Sequence, residues 1–444
     1  MTAIDIASLP LSQADHRAQL RRAVIASAVG TTIEWYDFFL YSQAAALVFG
    51  KLFFPRSDPL VGVMEAFTVF FVGYVTRPIG AAIFGHFGDR IGRKKTLVTT
   101  LLMTGLVTFA VGLVPTYASI GVWGAVLLTI LRLIQGVGVG GEWGGSVLLA
   151  MEWARTNAHR GFIAAWPQFG LPVGLLLANL AMLAFSALSG DQFLVWGWRI
   201  PFLLSIIMVG VGLYIRLGVL ETPSFRRLLA ENRIERAPAL EVIKRRPKLI
   251  ILTAFAHMGE QAPGSIYHAF VFTYGLTVLH SSRDFLLTAL ITSQALSCLT
   301  IPMAGHWSDL LGRKRLYLLG ALLAGAFGFV YFTLLNTAVP GWMFVAIVLS
   351  YVPRDLMYGP MAALIAECFP ARLRYSGSSL GYQLGAVIAG GPAPLIATAL
   401  LAAFGSAYAV AAYILFCAIV SIIATALLPD YTNRDISGED AYPG

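Results

Sequence analysis

Ionisable side chains sit inside apolar stretches at several places in this chain. Glu34 and Asp37 lie in the first stretch, Arg132 in the fourth, His257 and Glu260 in the seventh, and Arg354 and Asp355 in the tenth. A charge at the centre of a membrane span costs about 2.5–3.5 kcal/mol on insertion scales, so each needs a partner or a task. Glu34 follows Arg22 by twelve residues, which is about 18 Å of helix at about 1.5 Å per residue. Asp37 is one turn further on the same face. Two neighbouring carboxylates with Arg132 at similar depth make a proton-handling set, in which a substrate that competes for the arginine is coupled to protonation of the acids. The alternative is a fixed salt bridge. Arg354 offers the bidentate fork that suits a carboxylate, or else it is a strut bonded to Glu260. His257 is either a coupling group or a hydrogen-bonded core residue. Tyr41, Gln135, Trp166, Gln168, Tyr358, Tyr382 and Gln383 supply the aromatic walls and few polar anchors that a small-molecule cavity needs. Arg77, next to Pro78, either meets Glu34 or latches a gate. Glu142, on a face with Gly136, Gly138, Gly140, Gly141, Gly144 and Gly145, is a packing partner or a further acidic site. Arg216 is near enough to the end of its stretch to snorkel.

Positioning such groups takes an all-α membrane protein. The chain is 444 residues long, 57% hydrophobic and 12% charged, whereas a soluble domain carries about 25% charged residues. Its mean hydropathy is +0.74. Twelve apolar runs are long enough to span, at 23–49, 61–84, 96–114, 119–150, 161–188, 197–219, 249–279, 284–306, 316–336, 341–367, 376–403 and 407–428. They divide the chain into an N-terminal tail (1–22), a first six-helix bundle (23–220), a polar linker (221–248) with some amphipathic helix, a second bundle (249–428) and a C-terminal tail (429–444). Lys and Arg gather in the tails and alternate loops, from Arg17, Arg21 and Arg22 through Arg155 and Arg160 to Arg434. Only Lys51, Arg56, Arg199 and Arg283 fall on the other side. That bias places both termini in the cytoplasm. The first span is expected to be an uncleaved anchor, since Asp5, Asp15 and His16 precede its basic cluster. The excess of 31 Lys+Arg over 23 Asp+Glu is spread over loops, so nucleic acid is not the expected partner. Cys298, Cys368 and Cys417 lie apart in apolar runs and indicate neither a disulfide framework nor a metal site. No nucleophile/base set suggests an enzyme.

The two halves are copies. Gly85-His-Phe-Gly-Asp89-Arg-Ile-Gly92-Arg93-Lys94-Lys95 recurs as Gly305-His-Trp-Ser-Asp309-Leu-Leu-Gly312-Arg313-Lys314-Arg315, a basic hairpin turn in each half. Glu152 matches Glu367, and Gln168-x-Gly170 matches Gln383-x-Gly385. These motifs, with Gly30-Thr-Thr-Ile-Glu34-Trp-Tyr-Asp37-Phe-Phe-Leu-Tyr41, Arg77-Pro, Arg132-Leu-Ile-Gln135-Gly136 and Glu367-Cys-Phe-Pro-x-Arg-x-Arg374, resemble the metabolite:H+ symporters of the major facilitator superfamily. Span 7 around His257 and the Pro353-Arg354-Asp355 of span 10 depart from that pattern. The resemblance implies two pseudo-symmetric six-helix bundles in a bacterial inner membrane, with a central site open to each side in turn. It also implies a monomer that takes up a small organic acid (mono-, di- or tricarboxylate) with protons and needs no other cofactor. A zwitterionic osmolyte such as proline or a betaine is the alternative substrate. By the same resemblance Asp89, Arg93, Glu152, Arg160, Asp309, Arg313, Glu367 and Arg374 form a cytoplasmic gate of interbundle ion pairs. Such pairs are expected to be partly exposed, screened and individually weak, with the first copy tighter because Leu310 stands in the second where the first has Arg90.

Overall fold

A computed structural model describes residues 12–57, 59–154, 159–231, 233–436 and 438–442; Asp5 and Arg155 lie outside them. Each of the twelve apolar runs is a helix. We number the spans 1 (13–53), 2 (59–91), 3 (Arg93–Leu113), 4 (Trp123–Met151), 5 (Arg160–Ser189), 6 (Arg199–Leu217), 7 (247–277), 8 (Arg283–Leu311), 9 (Arg313–Asn336), 10 (Pro340–Glu367), 11 (Arg374–Phe404) and 12 (Tyr408–Leu427). There is no strand among the described residues. Span 1 starts ten residues before its apolar run, at Gln13, because Ser12 caps it by accepting a 3.1 Å bond from the Asp15 amide. The linker is two short helices, Pro223–Ala230 and Pro238–Arg245.

The spans form two six-helix bundles that meet chiefly through span 5 against spans 8 and 10 and through span 11 against spans 2 and 4. Small residues allow the close approaches inside each bundle. A methyl on Gly140 of span 4 would lie 2.8 Å from the Ala81 amide nitrogen and 2.9 Å from Gly80 Cα of span 2, so only glycine fits there. The outer faces stay apolar, with Ile79, Leu106, Leu183, Leu299, Leu322 and Ile423 exposed, as a lipid-facing surface requires. Among the described residues nine spans are apolar enough to cross a membrane on composition alone. Spans 1, 7 and 10 are the exceptions, and they carry Glu34, Asp37, His257, Glu260, Arg354 and Asp355. Helices with such charges need other helices to shield them, and spans 1 and 7 face each other across the space between the bundles, where Phe39 and His268 lie 4.9 Å apart.

The repeated basic motif is less of a turn than its sequence implies. Gly85 through Ile91 and Gly305 through Leu311 are the last turns of spans 2 and 8. The chain reverses at one residue each time, Gly92 with φ +111° and Gly312 with φ +97°, a region that glycine enters at low cost. The face holding these turns, both linker helices and the described residues of the two tails is termed the terminal face.

Candidate functional site

A cavity of about 680 Å³ including its mouth lies between the bundles, on the side of the midplane away from the terminal face. Span 1 contributes Trp35, Phe38, Phe39 and Ser42, span 2 Phe70 and Tyr74, and span 7 Gln261, Gly264, Ser265 and His268. Gln294, Tyr351, Arg354, Gly390 and Gly391 close the other wall. Among the described residues no carboxylate lines it, and Arg354 is its one permanent charge. Arg354 is held along one edge: Nε and Nη2 reach Glu260 Oε1 at 2.6 and 2.5 Å. Nη1 lies 3.5 Å from Asp355 Oδ1 and has no hydrogen-bond partner. The guanidinium also sits over the Tyr358 ring, 4.2 Å from its centroid. Gln294 is buried with Oε1 unpaired, and His268 is half-buried with its Nδ1 covered and unpaired. Arg354 is thus bonded to Glu260, as the strut reading expects, and it also lines the cavity. Of the substrate-contact residues expected from sequence, Arg354 alone lines this cavity.

Most of the others form the layer between the cavity and the terminal face. Trp143 of span 4 stacks on Tyr382 of span 11 at 3.8 Å between centroids, and Tyr382 stacks on His257 at 4.2 Å. Trp143 Nε1 donates to Gln168 Oε1 at 2.8 Å, and Gln168 Nε2 donates to the Tyr358 carbonyl at 3.2 Å, which ties span 5 to span 10. Gln383 Nε2 reaches the Val139 carbonyl at 3.4 Å. His257 is buried with Nδ1 3.0 Å from Met361 Sδ and 3.4 Å from Glu260 Oε2. Trp166 belongs to neither place; it is half-buried beside Phe162 and Phe169. The cavity wall of span 7 was legible as a stripe, because Gln261, Gly264, Ser265 and His268 recur at three- and four-residue spacing.

In the first bundle Arg132 acts on Asp37, and Asp37 on Glu34, with no direct hydrogen bond among the three. Arg132 is buried with its Nη1 on Gln135 and lies over the rings of Tyr41, Phe70 and Phe38, at 4.5, 4.7 and 5.2 Å. Gln135 Nε2 in turn donates to Thr108 Oγ1 at 2.8 Å. Asp37 is 1% exposed and neither carboxylate oxygen has a hydrogen-bond partner, although Arg132 and Thr108 act on it. Glu34 feels Glu142, Arg77 and Arg216 and also Asp37, and its Oε2 is unpaired. Arg77 stacks on Tyr74 and Phe38 at 4.4 and 4.7 Å, remote from the gate.

Arg216 does not snorkel. It is 1% exposed and is bonded to Glu142, which also accepts from Thr100 at 2.7 Å and Ser146 at 3.1 Å. The physical reason is Gly30 of span 1: any Cβ there would overlap Arg216 Nη2, so the missing side chain opens the path inward. Gly30→Val is therefore expected to displace the guanidinium and leave Glu142 buried and unpaired, at about 3–5 kcal/mol. Thermal unfolding in detergent should show a clearly lower midpoint. Gly210→Ala, where an added methyl meets nothing within 4 Å, should leave it unchanged.

On the terminal face each motif aspartate caps a helix of the other bundle. Asp89 accepts from the Ser376 amide at 2.9 Å, the Ser376 hydroxyl at 3.0 Å and the Tyr375 amide at 3.3 Å, at the start of span 11. Asp309 accepts from the Gly161 and Phe162 amides at 2.8 and 2.9 Å, at the start of span 5. The carboxylates thus meet the positive end of a helix dipole. Arg160–Glu367 at 2.9 Å and Arg374–Glu152 at 3.6 Å cross between bundles. Arg93 has its carboxylates within its own half, Asp89 at 3.2 Å and Glu152 at 3.6 Å, but crosses through Nη2 to the Ala371 carbonyl at 3.0 Å; Arg313 pairs within its own half, with Asp309 at 3.1 Å and Glu367 at 3.0 Å.

Two expectations about these pairs fail. They are buried rather than screened, Glu152 being the most exposed of the eight residues at 9%, because the opposing helix ends cover them. Arg90 takes no part either, as its side chain is exposed beside His86, 3.4 Å away. The shorter carboxylate contacts belong to the second copy. Asp89→Asn or Asp309→Asn removes a charged cap worth about 1–2 kcal/mol, so each should shift the population about tenfold toward an open terminal face. Spin labels at the exposed Lys95 and Arg315 positions should then report a longer distance.

Comparison with known proteins places this geometry. The family described as "Sugar (and other) transporter" matches residues 23–249, and "Major Facilitator Superfamily" matches residues 279–439. The shikimate transporter of Escherichia coli is 38% identical, over 96% of this chain and 97% of its own. The Escherichia coli proline/betaine transporter is 30% identical, over 95% of this chain and 85% of its own. Among solved structures, the proton:xylose symporter XylE bound to a bromo-deoxyglucose superposes with a TM-score of 0.75 at 18% identity, covering 96% and 99% of the two chains. That likeness concerns the fold.

Proposed function

The chain belongs to the major facilitator superfamily and is a multi-pass membrane transporter, and from that premise we propose that it imports a small hydroxylated carboxylic acid together with protons. The observation that carries this reading is the charge of the cavity: Arg354 lines it, no described carboxylate does, and Nη1 has only the long 3.5 Å ion pair with Asp355, which a substrate carboxylate can replace. A substrate carboxylate takes that edge while Glu260 keeps the other. A substrate hydroxyl pairs with the unmatched end of the Gln294 amide, whichever atom that is, because a hydroxyl both donates and accepts. The shikimate transporter among the relatives agrees with such a ligand.

Charge balance supplies the coupling. Arg77, Arg132 and Arg354 face Glu34, Asp37, Glu260 and Asp355 in the buried centre, and Arg216 is spent on Glu142. An entering anion deepens a deficit that already exists, and a buried uncompensated charge is costly. Protons entering with it remove that cost. Asp37 is the carrier in this reading, since it can gain a proton without breaking an ion pair, and Arg132 and Glu34 tune it. The eight gate residues hold the terminal face shut while substrate loads from the other side. That face is cytoplasmic, by the distribution of Lys and Arg, in a bacterial inner membrane.

The aromatic wall of Trp35, Phe38, Phe39, Phe70 and Tyr74 favours one further reading, a betaine whose quaternary ammonium lies against the rings. Proteoliposome uptake under an imposed proton gradient separates the two. Hydroxylated cyclic carboxylates should accumulate, the same rings without hydroxyls should enter more slowly, and glycine betaine should neither enter nor compete. Uptake of betaine with no uptake of any carboxylate would overturn the proposal.

A further inference from the structure

We propose that residues 431–436 and 438–442 are a strap that holds the terminal face shut by fastening the first bundle to the second. The segment is anchored on the second bundle. Thr432 Oγ1 accepts from the Arg313 amide at 3.0 Å, Asn433 Nδ2 donates to the Asp309 carbonyl at 3.1 Å, and Arg374 Nη2 donates to the Ile436 carbonyl at 3.2 Å and the Tyr442 hydroxyl at 3.0 Å. Tyr431, Ile436 and Tyr442 are buried against one another, the two rings 5.2 Å apart.

From that anchorage the segment reaches the other bundle. Arg160, the first residue of span 5, donates through Nη2 to the Arg434 carbonyl at 2.8 Å and the Tyr431 carbonyl at 3.3 Å. Its Nε holds Glu367 at 2.9 Å. Every one of these acceptors moves with the second bundle, so Arg160 must leave the strap and Glu367 together when the bundles part at this face. Hydrogen bonds to a charged donor are among the stronger ones in a protein. The strap also makes the two halves of the gate unequal. Arg374, the counterpart of Arg160, has its cross-bundle carboxylate at 3.6 Å and turns its Nη2 to the strap within its own half. At the equivalent place in the first half, Glu221 caps span 3 through the Arg93 and Lys94 amides at 3.1 and 3.2 Å, a local contact comparable to that of Thr432. The linker crosses as well, Glu235 holding Arg372 of the second half at 2.8 Å, but among the described residues of these two segments only the C-terminal one crosses at the gate arginine itself, through Arg160.

Access to a buried thiol tests the strap without any substrate, and so independently of the transport reading. Ser379 is 0% exposed, lies one turn in from the gate, and is separated from the cavity by the Trp143–Tyr382 stack. Ser379→Cys, in a background with Cys298, Cys368 and Cys417 replaced, should react slowly with a water-soluble maleimide in detergent. Removing residues 433–444, which leaves the Thr432 cap in place, should raise that rate about tenfold, the order expected for losing charge-assisted hydrogen bonds. Tyr442→Phe is the milder variant, expected to raise it about threefold by loosening the anchorage at Arg374. If the truncated protein does not fold, Tyr442→Phe decides. A rate within twofold of the parent in a folded truncation, or an unchanged rate in Tyr442→Phe where the truncation does not fold, overturns the proposal.

Discussion

Replacing Asp37 by asparagine is expected to abolish uphill accumulation while leaving exchange intact. A gradient of one pH unit stores about 1.4 kcal/mol per proton, enough for about tenfold accumulation at one proton per anion. The asparagine side chain would keep the shape of the site and lose the group that carries the proton. Accumulation in proteoliposomes should fall to the level set by diffusion, with the initial uphill rate down at least about a hundredfold. Counterflow of labelled substrate against internal unlabelled substrate needs no net proton movement and should stay within about threefold of the parent. Glu34→Gln should be milder, because Glu34 lies among the charges of Glu142, Arg77 and Arg216 rather than alone. Parallel loss of exchange and accumulation in Asp37→Asn would mean that the residue is structural.

Arg354→Gln has the second large expected effect, and it mixes two causes that a double variant separates. Removing the guanidinium leaves Glu260 buried without its 2.5 Å partner, at about 3–5 kcal/mol. It also removes the cavity's permanent cation, on which the proposed carboxylate depends. Stability measured by thermal unfolding should fall in Arg354→Gln and largely recover in Arg354→Gln with Glu260→Gln. Substrate affinity should fall by about two to three orders of magnitude, the size expected for losing a charged partner in a desolvated site, and should not recover in the double variant. Recovery of both would assign Arg354 to packing alone.

The sequence revealed the scaffold better than the site, for physical reasons. Spans announce themselves by length and hydropathy, and the duplication by repeated motifs, so all twelve helices could be placed. Depth along a span was legible too, which is why Arg132, Arg354, Glu260 and Asp37 were singled out. What depth does not fix is the rotation of one helix against another. Glu34 and Asp37 are one turn apart yet meet different partners, and Arg216 turns inward only because Gly30 on another helix leaves room. Gln168, Tyr382 and His257 have the right chemistry for a ligand, but their stack with Trp143 closes the floor of the cavity. Outside the span 7 stripe the wall came from Trp35, Phe39, Gln294 and Tyr351, ordinary residues in apolar runs that three-dimensional contact alone makes neighbours. The ion-paired cluster of the terminal face was recognisable as a motif. Its burial was not, because the aspartates are covered by helix ends from the opposite half of the chain.

The proton is the centre of this account, and it can be followed directly. In weakly buffered proteoliposomes with no initial gradient, adding a transported hydroxylated carboxylate should make the external medium more alkaline, by at least one proton for each substrate taken up, and Asp37→Asn should abolish the signal. Substrate entry with no accompanying change in external pH would contradict proton coupling and leave a facilitator that only equilibrates its ligand.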